Sequence, residues 1–69
     1  MMDESTFNLE IRKFLKTFGV NAQREIEKAV RARILAGDLS GEEMLDARIT
    51  LELPSADLRY EQEGTIALS

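Results

Sequence analysis

The apolar residues near the start of the chain recur with the period of a helix. From residue 5 to residue 18, the large apolar side chains other than Leu9 fall within a stripe of roughly 100° when successive residues are rotated by about 100°. Those on the stripe are Phe7, Ile11, Phe14, Leu15 and Phe18. Asp3 or Ser5 can cap the start of this helix, and Gly19 can end it because glycine accepts a left-handed conformation. The pattern predicts a helix over residues 5–18.

A second helix is predicted over residues 22–36. Asn21 is a suitable N-cap and Gly37 a suitable end. The apolar stripe between them consists of Ala22, Ile26, Ala29, Val30 and Ile34. Arg33 lies in this stripe, so we expect its stem to pack there while its guanidinium reaches solvent or a carboxylate of the C-terminal half. Two helices joined by two or three residues would form a corner that brings their stripes together.

Beyond a loop predicted over residues 37–46, the period changes from 3.6 to 2. Strands are predicted over residues 47–53, 58–63 and 65–68, with turns at Pro54–Asp57 and Glu63–Gly64. The chain is therefore predicted to be one small α+β domain, with two N-terminal helices packed on a C-terminal three-stranded antiparallel β-meander. Residues 42–45 could instead form a single helical turn.

The same periodicity predicts which side chains meet. On the sheet, alternation places Ile49, Leu51, Leu53, Tyr60 and Ile66 on one face, beneath the helices. The residues expected to be largely buried are Phe14, Phe18, Ile26, Val30, Ile49, Leu51, Tyr60 and Ile66.

Composition argues against most catalytic and metal chemistry. The 69 residues include no cysteine and no histidine, so there is no thiolate zinc site, no cysteine nucleophile and no Ser-His-Asp triad. The acidic loop of Asp38, Glu42, Glu43 and Asp46 departs from a calcium-binding loop, because Glu43 stands where glycine is required. We therefore expect no enzyme, no cofactor and no bound metal.

Charge divides the chain into two unlike parts. Residues 1–36 hold seven basic and five acidic side chains, whereas residues 37–69 hold two basic and eight acidic ones, within a net charge of −4. The candidate interaction surface lies on the outward, basic side of the predicted helices and includes one exposed apolar residue. Its members are Leu9, Arg12, Lys16, Arg24, Lys28 and Arg31. Solvent, an acidic protein partner or phosphates could each face it.

The segment over residues 19–26 resembles the turn and recognition-helix start of helix-turn-helix proteins. That motif places apolar residues six and nine positions after the turn glycine, where this chain has Glu25 and Lys28. Its apolar Ile26 and Ala29 come one position late, which would rotate the second helix by about 100°. A degenerate helix-turn-helix nucleic-acid binder is therefore the alternative function, and the acidic C-terminal half argues against it.

The stretch FNLEIRKFLKTFGVNAQREIEKAV over residues 7–30, with the later Gly37-Asp38-Leu39 and alternating strand, resembles a family of short uncharacterised bacterial proteins. The resemblance covers most of the chain. Because that family has no assigned activity, the resemblance implies no functional residue.

The leading interpretation is a non-catalytic protein-interaction module that works through the basic helix face or a sheet edge. We expect an unknown protein partner, no nucleic acid, and a monomer or weak homodimer. No stretch approaches the roughly 18 apolar residues of a membrane helix, and the acidic, polar start is unlike a signal peptide. We therefore expect a cytoplasmic protein without membrane association.

Overall fold

The chain forms one long helix and one β-hairpin. A computed structural model describes residues 1–69 as helix α1 (Glu4–Leu35), strand β1 (Met44–Leu53), a short 3₁₀ helix (Pro54–Ala56) and strand β2 (Leu58–Ala67). The predicted α+β class is confirmed, whereas the predicted two helices and three strands are not found.

The two helices predicted over residues 5–18 and 22–36 are a single helix of 32 residues. The predicted break at Gly19 was wrong because the apolar stripe stays in phase across it. Steps of four, four and three residues separate apolar positions before the glycine, and the same steps follow it; the positions are Phe7, Ile11, Leu15, Phe18, Ala22, Ile26 and Ala29. An interior glycine costs about 1 kcal/mol relative to alanine, too little to end a helix whose stripe continues.

The two ends of α1 form where the sequence predicts them. The Asp3 carboxylate accepts hydrogen bonds from the amides of Ser5 at 3.0 Å and Thr6 at 3.3 Å, and these bonds, with Thr6 the largest contributor, lower the pKa of Asp3. At the other end Gly37 has φ +84°, and its amide donates to the Ile34 carbonyl while the next amide, from residue 38, donates to the carbonyl of residue 33. This pairing is a Schellman C-cap.

The hairpin pairs β1 with β2 over their full length. The register joins Leu51 to Tyr60, Leu45 to Ile66 and Ala47 to Gly64. The turn predicted at Glu63–Gly64 was wrong, because the alternation of apolar and polar residues continues through it as one ten-residue strand. The strands predicted over residues 58–63 and 65–68 are therefore one.

The connections around the hairpin match the sequence in part. The turn predicted at residues 54–57 is confirmed, with Asp57 left-handed at φ 52°. The loop predicted over residues 37–46 ends earlier, since β1 begins at Met44 and not at residue 47. Residues 42–45 form no helical turn.

Opposite faces of the hairpin differ sharply in polarity. From the register, one face carries the predicted set of Ile49, Leu51, Leu53, Tyr60 and Ile66, so the predicted strand face is confirmed. The other face carries mostly charged and polar side chains, among them Asp46, Arg48, Thr50, Glu52, Arg59, Glu61 and Glu63. A hairpin of this kind needs a partner for its apolar face, because isolated two-stranded hairpins are marginally stable in water.

No side chain is buried within the single chain. The predicted core was wrong in this respect: Phe14, Phe18, Ile26, Ile49 and Tyr60 are exposed, whereas Val30, Leu51 and Ile66 are half-buried. The molecule extends 54 × 20 × 17 Å, with a radius of gyration of 16.3 Å. A compact chain of this length would have a radius of about 11 Å. The fold has only one α-helix and one hairpin, so no third element covers the apolar face of either.

Candidate interaction surface

An open apolar cleft of about 560 Å³ lies between α1 and the hairpin. The helix contributes Phe14, Leu15 and Phe18, and the apolar hairpin face contributes Ile49, Leu51 and Tyr60, with Thr50, Glu52 and Gln62 at its margin. The two apolar faces therefore point toward each other without closing into a core.

The side chains around this cleft remain accessible to solvent. Phe14 is 62% exposed and Tyr60 is 52% exposed, and Leu15, Phe18 and Ile49 have similar exposure. Along the helix the same stripe continues to Phe7 and Ile11 at one end and Ile26 at the other. We call the set Phe7, Ile11, Phe14, Leu15, Phe18, Ala22, Ile26 and Ala29 the apolar stripe.

The cleft is lined mainly by apolar side chains, with few polar groups. Two of its polar groups pair with each other: the Tyr60 hydroxyl donates a hydrogen bond to Gln62 Oε1 at 3.1 Å. Glu52 is the single ionisable carboxyl at the margin. Most of the lining side chains are therefore hydrocarbon or aromatic groups.

The six residues of the predicted interaction surface lie on the opposite side of α1. Leu9, Arg12, Lys16, Arg24, Lys28 and Arg31 are all exposed, and we call them the basic face. Because α1 is continuous, they follow one helix over about 33 Å. Lys28 lies 3.7 Å from Glu25 and Arg31 lies 3.3 Å from Glu27, so part of the positive charge is balanced locally. Arg12, Lys16 and Arg24 form no ion pair within the chain.

In the acidic loop, a carboxylate forms hydrogen bonds with backbone amides of the same loop. The Glu43 carboxylate accepts hydrogen bonds from the amides of Ser40, at 2.8 Å, and Gly41, at 3.0 Å. These bonds, with the Ser40 amide the largest contributor, lower the pKa of Glu43 to about 2. Asp38 lies 3.2 Å from the Arg33 guanidinium, which confirms that Arg33 reaches a carboxylate of the C-terminal half. No three acidic side chains of the chain converge on a common point.

The cleft was missed from the sequence because its residues were assigned to a closed core. The pattern shows that Phe14, Ile49 and Tyr60 lie on apolar faces, and this much the structure confirms. The length of the apolar stripe could have indicated that the cleft stays open. A single uninterrupted helix presents more apolar surface than one two-stranded hairpin can cover.

Comparison with known proteins identifies the family. Residues 2–69 match the model of the family of unknown function DUF6494, which confirms the predicted resemblance to a family without an assigned activity. No curated protein and no solved structure matches the chain. Helix α1 lacks the apolar stretch required to cross a membrane.

Proposed function

The chain belongs to DUF6494, a family that carries no assigned activity, and we propose that it is a non-catalytic protein-interaction module that binds its partner through the cleft and the apolar stripe. The observation that carries the proposal is the exposure of Phe14, Phe18 and Tyr60 on facing helix and hairpin surfaces. Contiguous exposed apolar surface of this kind marks interaction sites.

Aromatic content supports the same conclusion. Aromatic residues are enriched at the centres of protein interfaces and supply much of their binding energy. Three of the four aromatic residues in the chain, Phe14, Phe18 and Tyr60, line the cleft. On the side of α1 that carries the basic face, the exposed apolar residues Leu9 and Val20 are separated by charged side chains, so it offers a partner less contiguous apolar surface to bury.

Three observations argue against nucleic acid as the partner of the basic face. A helix-turn-helix requires a turn at residues 19–21, and these residues are helical. Lys28 and Arg31 face glutamates of their own helix, and the hairpin half carries eight acidic side chains against two basic ones. The proposed partner is therefore a protein.

Affinity capture with two matched variants tests the proposal. Phe14→Glu and Leu9→Glu introduce the same charge at similarly exposed apolar positions on opposite faces of α1. Proteins retained by the immobilised wild-type chain should be lost with Phe14→Glu and kept with Leu9→Glu, and nuclease treatment of the lysate should not affect them. Retention that nuclease abolishes, or that Leu9→Glu abolishes and Phe14→Glu does not, would contradict the proposal.

A further inference from the structure

We propose that the occupant of the apolar stripe is a second copy of this chain, whose helix lies antiparallel to α1 with a two-fold axis near Phe18. This inference rests on the proposed function and specifies its partner. It explains why a folded helix and hairpin expose their apolar faces: the core is completed between two chains.

The surface area of the single chain is the first argument. Its accessible surface is 6351 Å² at a mass of 7.8 kDa. A compact monomer of that mass would expose about 4,400 Å². The excess accessible surface is about 2,000 Å² per chain, or about 4,000 Å² for two chains, and this total falls in the range that obligate homodimers bury. In a protein of this size, few surfaces other than the apolar stripe and the cleft are large enough to bury this area.

The sizes of the side chains along the stripe are the second argument. Its N-terminal half carries the bulky Phe7, Phe14 and Phe18, and its C-terminal half carries the small Ala22 and Ala29 with Ile26 between them. Interfaces pack best when large residues of one element oppose small residues of the other. A parallel pair would place phenylalanine against phenylalanine at one end and leave voids between alanines at the other.

An antiparallel pair centred on Phe18 matches these sizes. Counting equal distances from Phe18 in both directions places Phe14 opposite Ala22 of the second copy and Phe7 opposite its Ala29. Because the arrangement is two-fold symmetric, each such contact occurs twice. Phe18 then meets its own copy at the axis, beside the cleft that it lines in each chain.

Charge is compatible with self-association. Residues 1–36 carry two more basic than acidic side chains, and residues 37–69 carry six more acidic than basic ones. The basic residues lie on the side of α1 away from the stripe, and the acidic strand residues lie on the polar face of the hairpin, so the antiparallel pair does not bring these charges into its apolar interface.

Sedimentation equilibrium of the purified full-length chain tests the partner. The expected mass is twice 7.8 kDa at about 100 μM, and Phe14→Glu should raise the dimer dissociation constant about a hundredfold. Leu9→Glu, the matched control, should leave it unchanged. A wild-type chain that stays monomeric at this concentration overturns the second-copy inference. The proposed function would still stand in that case if the capture experiment retains another protein through Phe14.

Cysteine cross-linking tests the geometry without charged substitutions. The chain has no cysteine of its own, so single substitutions give unambiguous products. Phe18→Cys should form a disulfide-linked dimer on oxidation, and a mixture of Phe7→Cys with Ala29→Cys should cross-link although neither does so alone. Residues 7 and 29 lie about 33 Å apart in one helix, far beyond disulfide reach. Self-cross-linking of Phe7→Cys, or equal cross-linking of Leu9→Cys and Phe18→Cys, would overturn the antiparallel pair.

Discussion

Phe14 and Leu9 lie on opposite faces of the same helix and have nearly equal exposure, at 62% and 57%. Their surroundings differ. Phe14 is continuous with Leu15 and Phe18 and faces the apolar side of the hairpin across an open cleft. The neighbours of Leu9 one helical turn away are Ser5, Thr6, Arg12 and Lys13, and none of them is apolar. A single exposed apolar residue therefore does not mark an interface, whereas an exposed patch of adjacent apolar residues does.

The largest expected effect is a difference in the free energy of unfolding between a substitution in the apolar stripe and one in the basic face. Phe18→Ala should lower the free energy of unfolding by about 3–5 kcal/mol, because the ring is covered when the stripe is occupied. Leu9→Ala should change it by less than about 0.5 kcal/mol. Urea denaturation followed by circular dichroism, at one protein concentration, measures both. Equal, small effects would show that the stripe is as solvated as the basic face.

A smaller effect tests whether α1 is one helix, on which the stripe depends. Gly19→Ala should stabilise the protein by about 0.5–1 kcal/mol, since Gly19 is helical and a Cβ there meets nothing within 4 Å. Gly37→Ala should destabilise it by about 1–2 kcal/mol, because Gly37 has φ +84°. Thermal unfolding of both variants is the measurement. Destabilisation by Gly19→Ala would indicate a break at residue 19.

The smallest effect concerns the loop that joins the two elements. The folded pKa of Glu43 is about 2, below its ordinary 4.5, so the ionised carboxylate favours the folded loop. This contribution is present above about pH 4.5 and is lost as the pH falls toward 2. Carboxyl chemical shifts measured across this range by NMR should show the low pKa. Glu43→Gln should remove this share of the acid sensitivity, and an ordinary Glu43 titration would exclude the proposed bonds.

Local signals in the sequence predicted the boundaries of the elements well. The Asp3 cap, the Gly37 stop and the turn at residues 54–57 each depend on a few neighbouring residues, and all are found in the structure. Gly19 and Gly64 were wrongly interpreted as breaks. They differ from Gly37 because the apolar period continues through them, whereas no stripe follows Gly37. Whether the apolar period stays in phase across a glycine is therefore better evidence for a break in the element than the glycine itself.

The burial of apolar faces could be predicted from the sequence only in part. Periodicity correctly placed Ile49, Leu51 and Tyr60 on one strand face. It could not show whether the same chain or another molecule covers that face, because both give the same pattern. The basic face was identified from charge and from the position of Leu9 outside the apolar period, and its role stays a prediction.

The dependence of thermal unfolding on protein concentration tests the central claim most directly. If two chains complete one core, unfolding is coupled to dissociation, so the midpoint temperature must rise with concentration. We predict a rise of several degrees between about 1 μM and about 100 μM, and a lower midpoint for Phe14→Glu than for the wild type at each concentration. A cooperative wild-type transition whose midpoint is the same at both concentrations would contradict the claim, because the single chain would then fold without a second copy.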